Sequence, residues 1–296
     1  MNKVKNRETL IRLPGLEKPF TIVHITDAHI SCDDAADRAF LQYSERMKQA
    51  YSPGTVKHCL SGEPCAPLDC FRDILSAAGE AKADLLVLTG DIINYPSAAA
   101  VAKVAGMLED SGIPWVYTAG NHDWHYEGMK GSEESLRSLW IEKRLKPFYK
   151  DADPLCSAFT INGVSILLID SSSYQINGKQ LGFYRETAAL KQPLFVFTHI
   201  PLYMPSMPPD ELCCGHPDWG AAADKNWRIE RRERWPETGN RPETKALINL
   251  LPETENLRAV FAGHLHRDQV LHYAGKTQYI TAMAANGQYR TLRFSG

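Results

Sequence analysis

The sequence has no uninterrupted apolar run of the roughly 18 residues that a membrane-crossing helix needs. Its opening, MNKVKNRETLIRLPGLEKPF, sets basic residues early with no apolar stretch behind them, so it does not read as a secretory signal. The expectation from both absences is a cytoplasmic protein with no membrane partner. C-x-x-C pairs are also lacking among the seven cysteines, Cys32, Cys59, Cys65, Cys70, Cys156, Cys213 and Cys214. With an odd count and no signal, free thiols are favoured over a disulfide among Cys59, Cys65 and Cys70. Nor does charge of one sign dominate: 33 Lys and Arg face 35 Asp and Glu, a formal net charge of −2. That leaves no global field to hold a polyanion, though a local basic patch stays open. No internal repeat, low-complexity tract or Pro/Gly/Ser linker divides the chain, so residues 1–296 read as a single domain.

What is present is ordinary globular composition, with 44% apolar and 23% charged residues. This excludes a coiled coil, a collagen-like chain and a wholly disordered one. Short apolar runs read as buried strands at 20–26, 84–90, 115–120, 164–170, 194–199 and 258–264. Runs at 270–275, 277–282 and 289–294 lie close together and suggest a terminal antiparallel meander. Helix-like segments fall at about 35–50, 69–82, 97–110, 132–146 and 243–250. Strand and helix in alternation, followed by strand-rich sequence, argue for a layered α/β protein with a mixed sheet. Two insertions break the rhythm, the turn-rich 51–68 and the Pro-, Trp- and Arg-rich 203–240. Loops of that length inside a compact domain are often functional.

The polar residues directly after the strands carry the chemistry. Asp27 and His29 follow the first, Asp91 and Asn94 the second, and Asn121, His122 and Asp123 the third. His199 ends a fourth, and His264 and His266 end a fifth. Ligands in open α/β sheets bind beyond the carboxyl ends of the strands. Five of the ten histidines fall in these positions. A lone histidine after a strand is usually a satisfied structural residue, and His24 and His272, inside strands, are read that way. Five with three aspartates and two asparagines instead make a metal site. Imidazole, carboxylate and amide oxygen suit divalent Mn, Fe, Zn or Co. Without thiolate ligands a structural zinc knuckle is disfavoured.

The ordered set D-x-H, G-D-x-x-N, G-N-H-D, a lone H and G-H-x-H resembles the calcineurin-like metallophosphoesterase superfamily. The motifs span residues 27–266, nearly the whole chain. The resemblance implies a four-layer αββα sandwich of two mixed β-sheets flanked by helices. It implies two divalent ions per chain, one held by Asp27, His29 and His266, the other by Asn121, His199 and His264, with Asp91 bridging both. Two such cations polarise phosphoryl oxygens and acidify a shared water, which attacks phosphorus in line with the leaving alkoxide. His122, not needed as a ligand, is the candidate general acid, and Asp123 the candidate for orienting its ring. A turn or capping carboxylate is the alternative for Asp123. Asp170 is weighed as a supporting group against a turn role, and His125 as a cleft residue against a solvated loop residue.

The substrate is expected to be a small-molecule phosphoester. The segment after His199 holds Trp219, Trp227 and Trp235 with Arg228, Arg231, Arg232 and Arg234. Arg228 and His216 are candidate substrate contacts, against a solvated helical turn as the alternative. D-x-H in place of D-x-G, and Asn94 where purple acid phosphatases have tyrosine, argue against a tyrosinate-coloured iron centre. The complete set is similar to that of bacterial class III cyclic nucleotide phosphodiesterases and glycerophosphodiesterases. A nuclease of the superfamily would need a basic track, which the net charge does not support. A non-catalytic scaffold would be expected to have lost ligands, and a metal-dependent hydrolase of other esters is the remaining alternative.

Overall fold

Apolar runs buried on both faces become strands, and here they build two sheets. A computed structural model describes residues 3–208, 213–217 and 239–296. In chain order the first strands are β1 (Lys5–Arg12), β2 (Phe20–Ile25), β3 (Leu85–Thr89) and β4 (Trp115–Thr118). Next come β5 (Cys156–Ile161), β6 (Val164–Ile169), β7 (Leu194–Phe197), β8 (Leu257–Ala262), β9 (Gln269–Tyr273) and β10 (Lys276–Ile280). Strand β11 (Gln288–Ser295) follows. One sheet runs β1-β11-β2-β3-β4 and the other β5-β6-β7-β8-β10-β9. Both are mixed, since β2, β3 and β4 are parallel while β11 runs against β2. In the second sheet β5 runs against β6 and β9 against β10, with the strands between them parallel.

Alternate residues sort to the two faces of each strand, as the two-residue period requires. Phe20 and Ile22 of β2 meet Phe195 and Phe197 of β7 and Phe261 of β8 between the sheets. Val23 and Ile25 point the other way, against helices α1 (Leu41–Ala50), α2 (Pro67–Glu80), α3 (Ala98–Ser111), α4 (Glu133–Trp140) and α5 (Lys146–Tyr149). Helices α6 (Gly178–Ala189) and α7 (Pro242–Glu253) cover the outer face of the second sheet. The result is the expected four-layer αββα sandwich. Each fully buried Phe, Leu or Ile in the inter-sheet layer contributes roughly 1.5–3 kcal/mol, and this layer clamps the two sheets whose strand ends carry the polar residues. No helix among the described residues is long and apolar enough to cross a membrane.

Three expectations change. The terminal meander is not one: β9 and β10 form a hairpin, but β11 leaves for the other sheet and inserts between β1 and β2. Strands β1 and β5 went unread because both are half exposed and carry alternating polar residues at sheet margins. Helix α6 went unread because two of its four buried positions are the polar Gln180 and Thr187.

Candidate metal centre

The strand ends deliver their side chains through strained turns. Asp27, His29, Asp91, His264 and His266 all adopt left-handed backbone conformations, with φ of 55°, 44°, 50°, 66° and 55°. Non-glycine residues there cost of order 1–3 kcal/mol each and gather at functional sites. Two glycines make room for the turns. A Cβ on Gly120 would collide with the Asp91 carboxylate, and one on Gly263 would collide with Thr26 and Asp27.

The seven expected ligands converge on one pocket. Asp27 Oδ1 lies 3.3 Å from His266 Nε2 and 3.8 Å from His29 Nε2. The two imidazole nitrogens of His29 and His266 face each other at 3.0 Å. Asp91 Oδ2 lies 3.3 Å from His199 Nε2 and 3.9 Å from His29 Nε2. Asn121 Oδ1 sits 3.1 Å from His199 Nε2. Asp27, His29 and His266 form one cluster of ligand size, and Asp91, His199 and His264 another. His122 forms a third with His29 and Asp91.

Outer contacts hold these groups in place. Thr26 Oγ1 and the His264 amide donate to Asp27 Oδ2 at 2.8 and 2.9 Å, so Oδ1 alone is turned toward the histidines. The His122 amide donates to Asp91 Oδ1 at 2.7 Å, which leaves Oδ2 for the cluster. His199 Nδ1 is 2.7 Å from the Thr89 carbonyl, so Nδ1 carries its proton and Nε2 faces the pocket. The Tyr174 hydroxyl lies 2.8 Å from His264 Nε2.

The charges show what the pocket is made for. Burial alone would push the Asp91 carboxyl up, but His199, His122 and His29 around it hold it well below the usual carboxylate range. Burial lowers His199, yet the Asp91 and Asp27 carboxylates outweigh it and lift the imidazole to about 9. Burial and its neighbour His122 drive His29 well below the usual histidine range. One buried atom points to the occupant: among the described residues Asp27 Oδ1 accepts no hydrogen bond, and they bury it. A buried carboxylate oxygen facing two imidazole nitrogens, with no donor of its own, fits a divalent cation.

His122 stands beside the clusters, half-buried. Its Nδ1 is 3.1 Å from both the backbone and side-chain oxygens of Asn94. Asn94 is itself pinned through Nδ2 to Ser31 Oγ and the Met47 carbonyl. The ring of His122 is therefore held by Asn94, and the orienting role expected of Asp123 is corrected. Asp123 is fully buried and accepts instead from the Asp91, Gly120 and Ile93 amides at 2.7, 2.7 and 3.0 Å. It ties the second and third strand-end loops together, the turn role held as its alternative. Burial and the nearby Asp91 charge push its carboxyl up to about 7.

The remaining candidates separate. Asp170 pairs with Arg137 and accepts from Ser172, tying α4 to the end of β6 rather than reaching the ligands. His125 packs edge-on against Trp124. His216 is buried against Tyr203, and its carbonyl accepts from Asn240. Arg228, with the tryptophans and arginines around it, lies outside the described residues. Sequence reasoning did not assign Asn94, Tyr174 or Tyr51, whose ring stacks on His29. Asn94 had a signal, since three residues beyond Asp91 it shares the same loop. Tyr174 and Tyr51 had none.

Comparison with known proteins agrees with this geometry. The profile of the calcineurin-like phosphoesterases matches residues 20–268, and the chain belongs to that family of metal-dependent phosphoester hydrolases. A protein of Psychrobacter arcticus named "Probable cyclic nucleotide phosphodiesterase" is 29% identical, over 88% of this chain and 78% of its own. One of the same name from Fibrobacter succinogenes is 26% identical over 90% of this chain and 80% of its own. A dimetal phosphatase from Danio rerio shares the fold at a TM-score of 0.58 and 12% identity, covering 92% of this chain and 91% of that one.

Proposed function

We propose that the chain hydrolyses a small-molecule phosphodiester of the cyclic-nucleotide class, with Asp91 placed where it would serve two divalent ions. The observation that carries this is Asp91 Oδ2, which lies between His29 Nε2 at 3.9 Å and His199 Nε2 at 3.3 Å. One oxygen therefore faces ligands of both clusters. Asp27, His29 and His266 would hold one ion, and Asn121, His199 and His264 the other. When bound, such a pair supplies Lewis acidity toward phosphoryl oxygens and a water acidified to near neutral pH. The names of the relatives support the substrate class.

The chain's own residues supply the rest. With Nδ1 of His122 donating to Asn94, the ring in its imidazolium form would carry a second proton, on Nε2, to give to the leaving oxygen. Asp123 holds the Asp91 and His122 loops in register through three backbone amides. Within this reading His216 is the candidate contact for the organic part of the substrate, since its segment follows His199, while Arg228 lies outside the described residues. Residues 1–296 act as one catalytic domain, supported by the core that the two sheets share.

The test is metal analysis of the protein as isolated, then turnover of 3′,5′-cyclic nucleotides and of monoesters with Mn, Fe, Co and Zn. The reading expects hydrolysis of a cyclic diester at least about tenfold faster than of the monoester it yields, a gap of ~1.4 kcal/mol in barrier. Turnover of monoesters alone would overturn the substrate class. Cleavage of DNA with a steep salt dependence would point to a nuclease instead.

A further inference from the structure

The insertion at 51–68 begins with a residue that reaches the metal centre. Tyr51 ends α1, and its ring lies flat on the imidazole of His29, with centroids 3.7 Å apart and planes 7° from parallel. The same ring stands edge-on to His122 and His266 at 6.0 Å each. The rest of the insertion is tied down beside the site. The Cys59 amide donates to the Asn286 carbonyl at 2.9 Å, and the Cys65 thiol lies 3.8 Å from the Ala285 carbonyl. The Ala285 amide in turn donates to the Asp27 carbonyl at 3.0 Å.

His29 is short of the contact that metal-binding histidines ordinarily have. Such a histidine donates its second ring N–H to a carboxylate, a carbonyl or a water, which fixes the tautomer and the plane of the ring. His199 has this contact through Thr89. His29 turns Nε2 toward Asp27, Asp91 and His266, so Nδ1 is its second nitrogen. That Nδ1 is buried and has no hydrogen-bond partner among the described residues. Among the described residues no polar group bonds that nitrogen to set the plane of the ring, whereas a parallel aromatic face lies against it.

We propose that Tyr51 is the positioning residue for His29, substituting a stacked ring for the missing hydrogen bond. A phenol ring presents a negative π face, and an imidazole that shares electrons with a cation becomes electron-poor. The stack therefore strengthens when an ion binds. Tyr51 raises affinity at the position of Asp27, His29 and His266, and leaves the other position alone. This rests on the dimetal reading above.

The test is titration of the metal-stripped full chain with Mn²⁺ by calorimetry, for wild type, Tyr51→Phe, Tyr51→Leu, Tyr51→Ala and His266→Ala. Tyr51→Phe keeps the π face and should bind within about twofold of wild type at both positions. Tyr51→Leu and Tyr51→Ala should bind about 3- to 10-fold more weakly in one step only. That step should be the one His266→Ala abolishes. Should the Ala variant not fold, Phe against Leu still decides between a π face and mere bulk. Unchanged Mn²⁺ affinity in the Leu variant would overturn the proposal, as would equal weakening of both steps. A shift in KM with intact Mn²⁺ binding would overturn it too and place Tyr51 against the substrate. Failure of wild type to bind any Mn²⁺ would instead overturn the dimetal reading.

Discussion

His24 and His29 stand five positions apart, one inside β2 and one in the turn after it, and both are fully buried. His24 has both nitrogens engaged, Nδ1 at 2.9 Å from the Thr281 hydroxyl and Nε2 at 2.7 Å from that of Thr89. Burial, with the Arg290 charge near it, lowers its pKa to about 3, so it is neutral and closed. His29 instead turns Nε2 toward carboxylates and a second imidazole, and its Nδ1 has no hydrogen-bond partner among the described residues. Burial is the same in both; satisfaction differs. The histidine inside the strand has both ring nitrogens bonded, and the one in the turn after it leaves a nitrogen bare and turns the other toward the ligand cluster.

Substitutions at the rim and in the interior should therefore have opposite signatures. The largest effect is expected for Asp91→Asn. Turnover should fall on the order of 10³-fold or more with loss of tight binding of both ions, while the metal-free protein melts no lower than wild type. Two tightly retained ions per chain, measured by elemental analysis, would undo the bridge assignment. His122→Ala should keep its metals and lose about 10²–10⁴-fold on alkyl phosphoesters, and less on p-nitrophenyl esters, whose leaving group needs little protonation. Equal losses on both substrates would remove it from the acid role.

Asp123→Ala would sharpen the contrast from the other side, since this rim residue behaves like the interior. Three buried amides lose their acceptor, so stability in urea should drop by at least about 3 kcal/mol. An unchanged unfolding midpoint would contradict the clamp. The smallest effect belongs to His24. Its folded pKa is depressed, so below about pH 6.5 the unfolded chain takes up a proton that the folded chain refuses. Stability should then decline by up to about 1.4 kcal/mol per pH unit as pH falls toward 4. His24→Gln should flatten that slope and leave turnover at neutral pH within about twofold, since the residue touches no ligand. Equal slopes in both proteins would show that His24 is not the linked group.

The rim was legible and much of its support was not. Asp27, His29, Asp91, Asn121, His199, His264 and His266 could be read because each follows a strand, and strand ends of a parallel sheet share one edge. The strands themselves were legible because burial on both faces makes them continuous apolar runs. Tyr51 and Tyr174 reach the same pocket from loops, where no periodicity relates a residue to its neighbours in space. The placement of β11 was hidden for a different reason: hairpin spacing describes local pairing, and this strand pairs with residues more than 250 positions away.

Strand β11 is the middle member of β1-β11-β2, and β1 has no other neighbour in its sheet. During synthesis, the nascent chain can thus carry every residue of the pocket through His266 while the sheet beneath Asp27 still lacks the strand that joins β1 to β2. Closing it requires a contact of very high sequence separation, the slow kind. Until residues 288–295 are in place the flank of β2 is an open strand edge, the kind that invites misassembly.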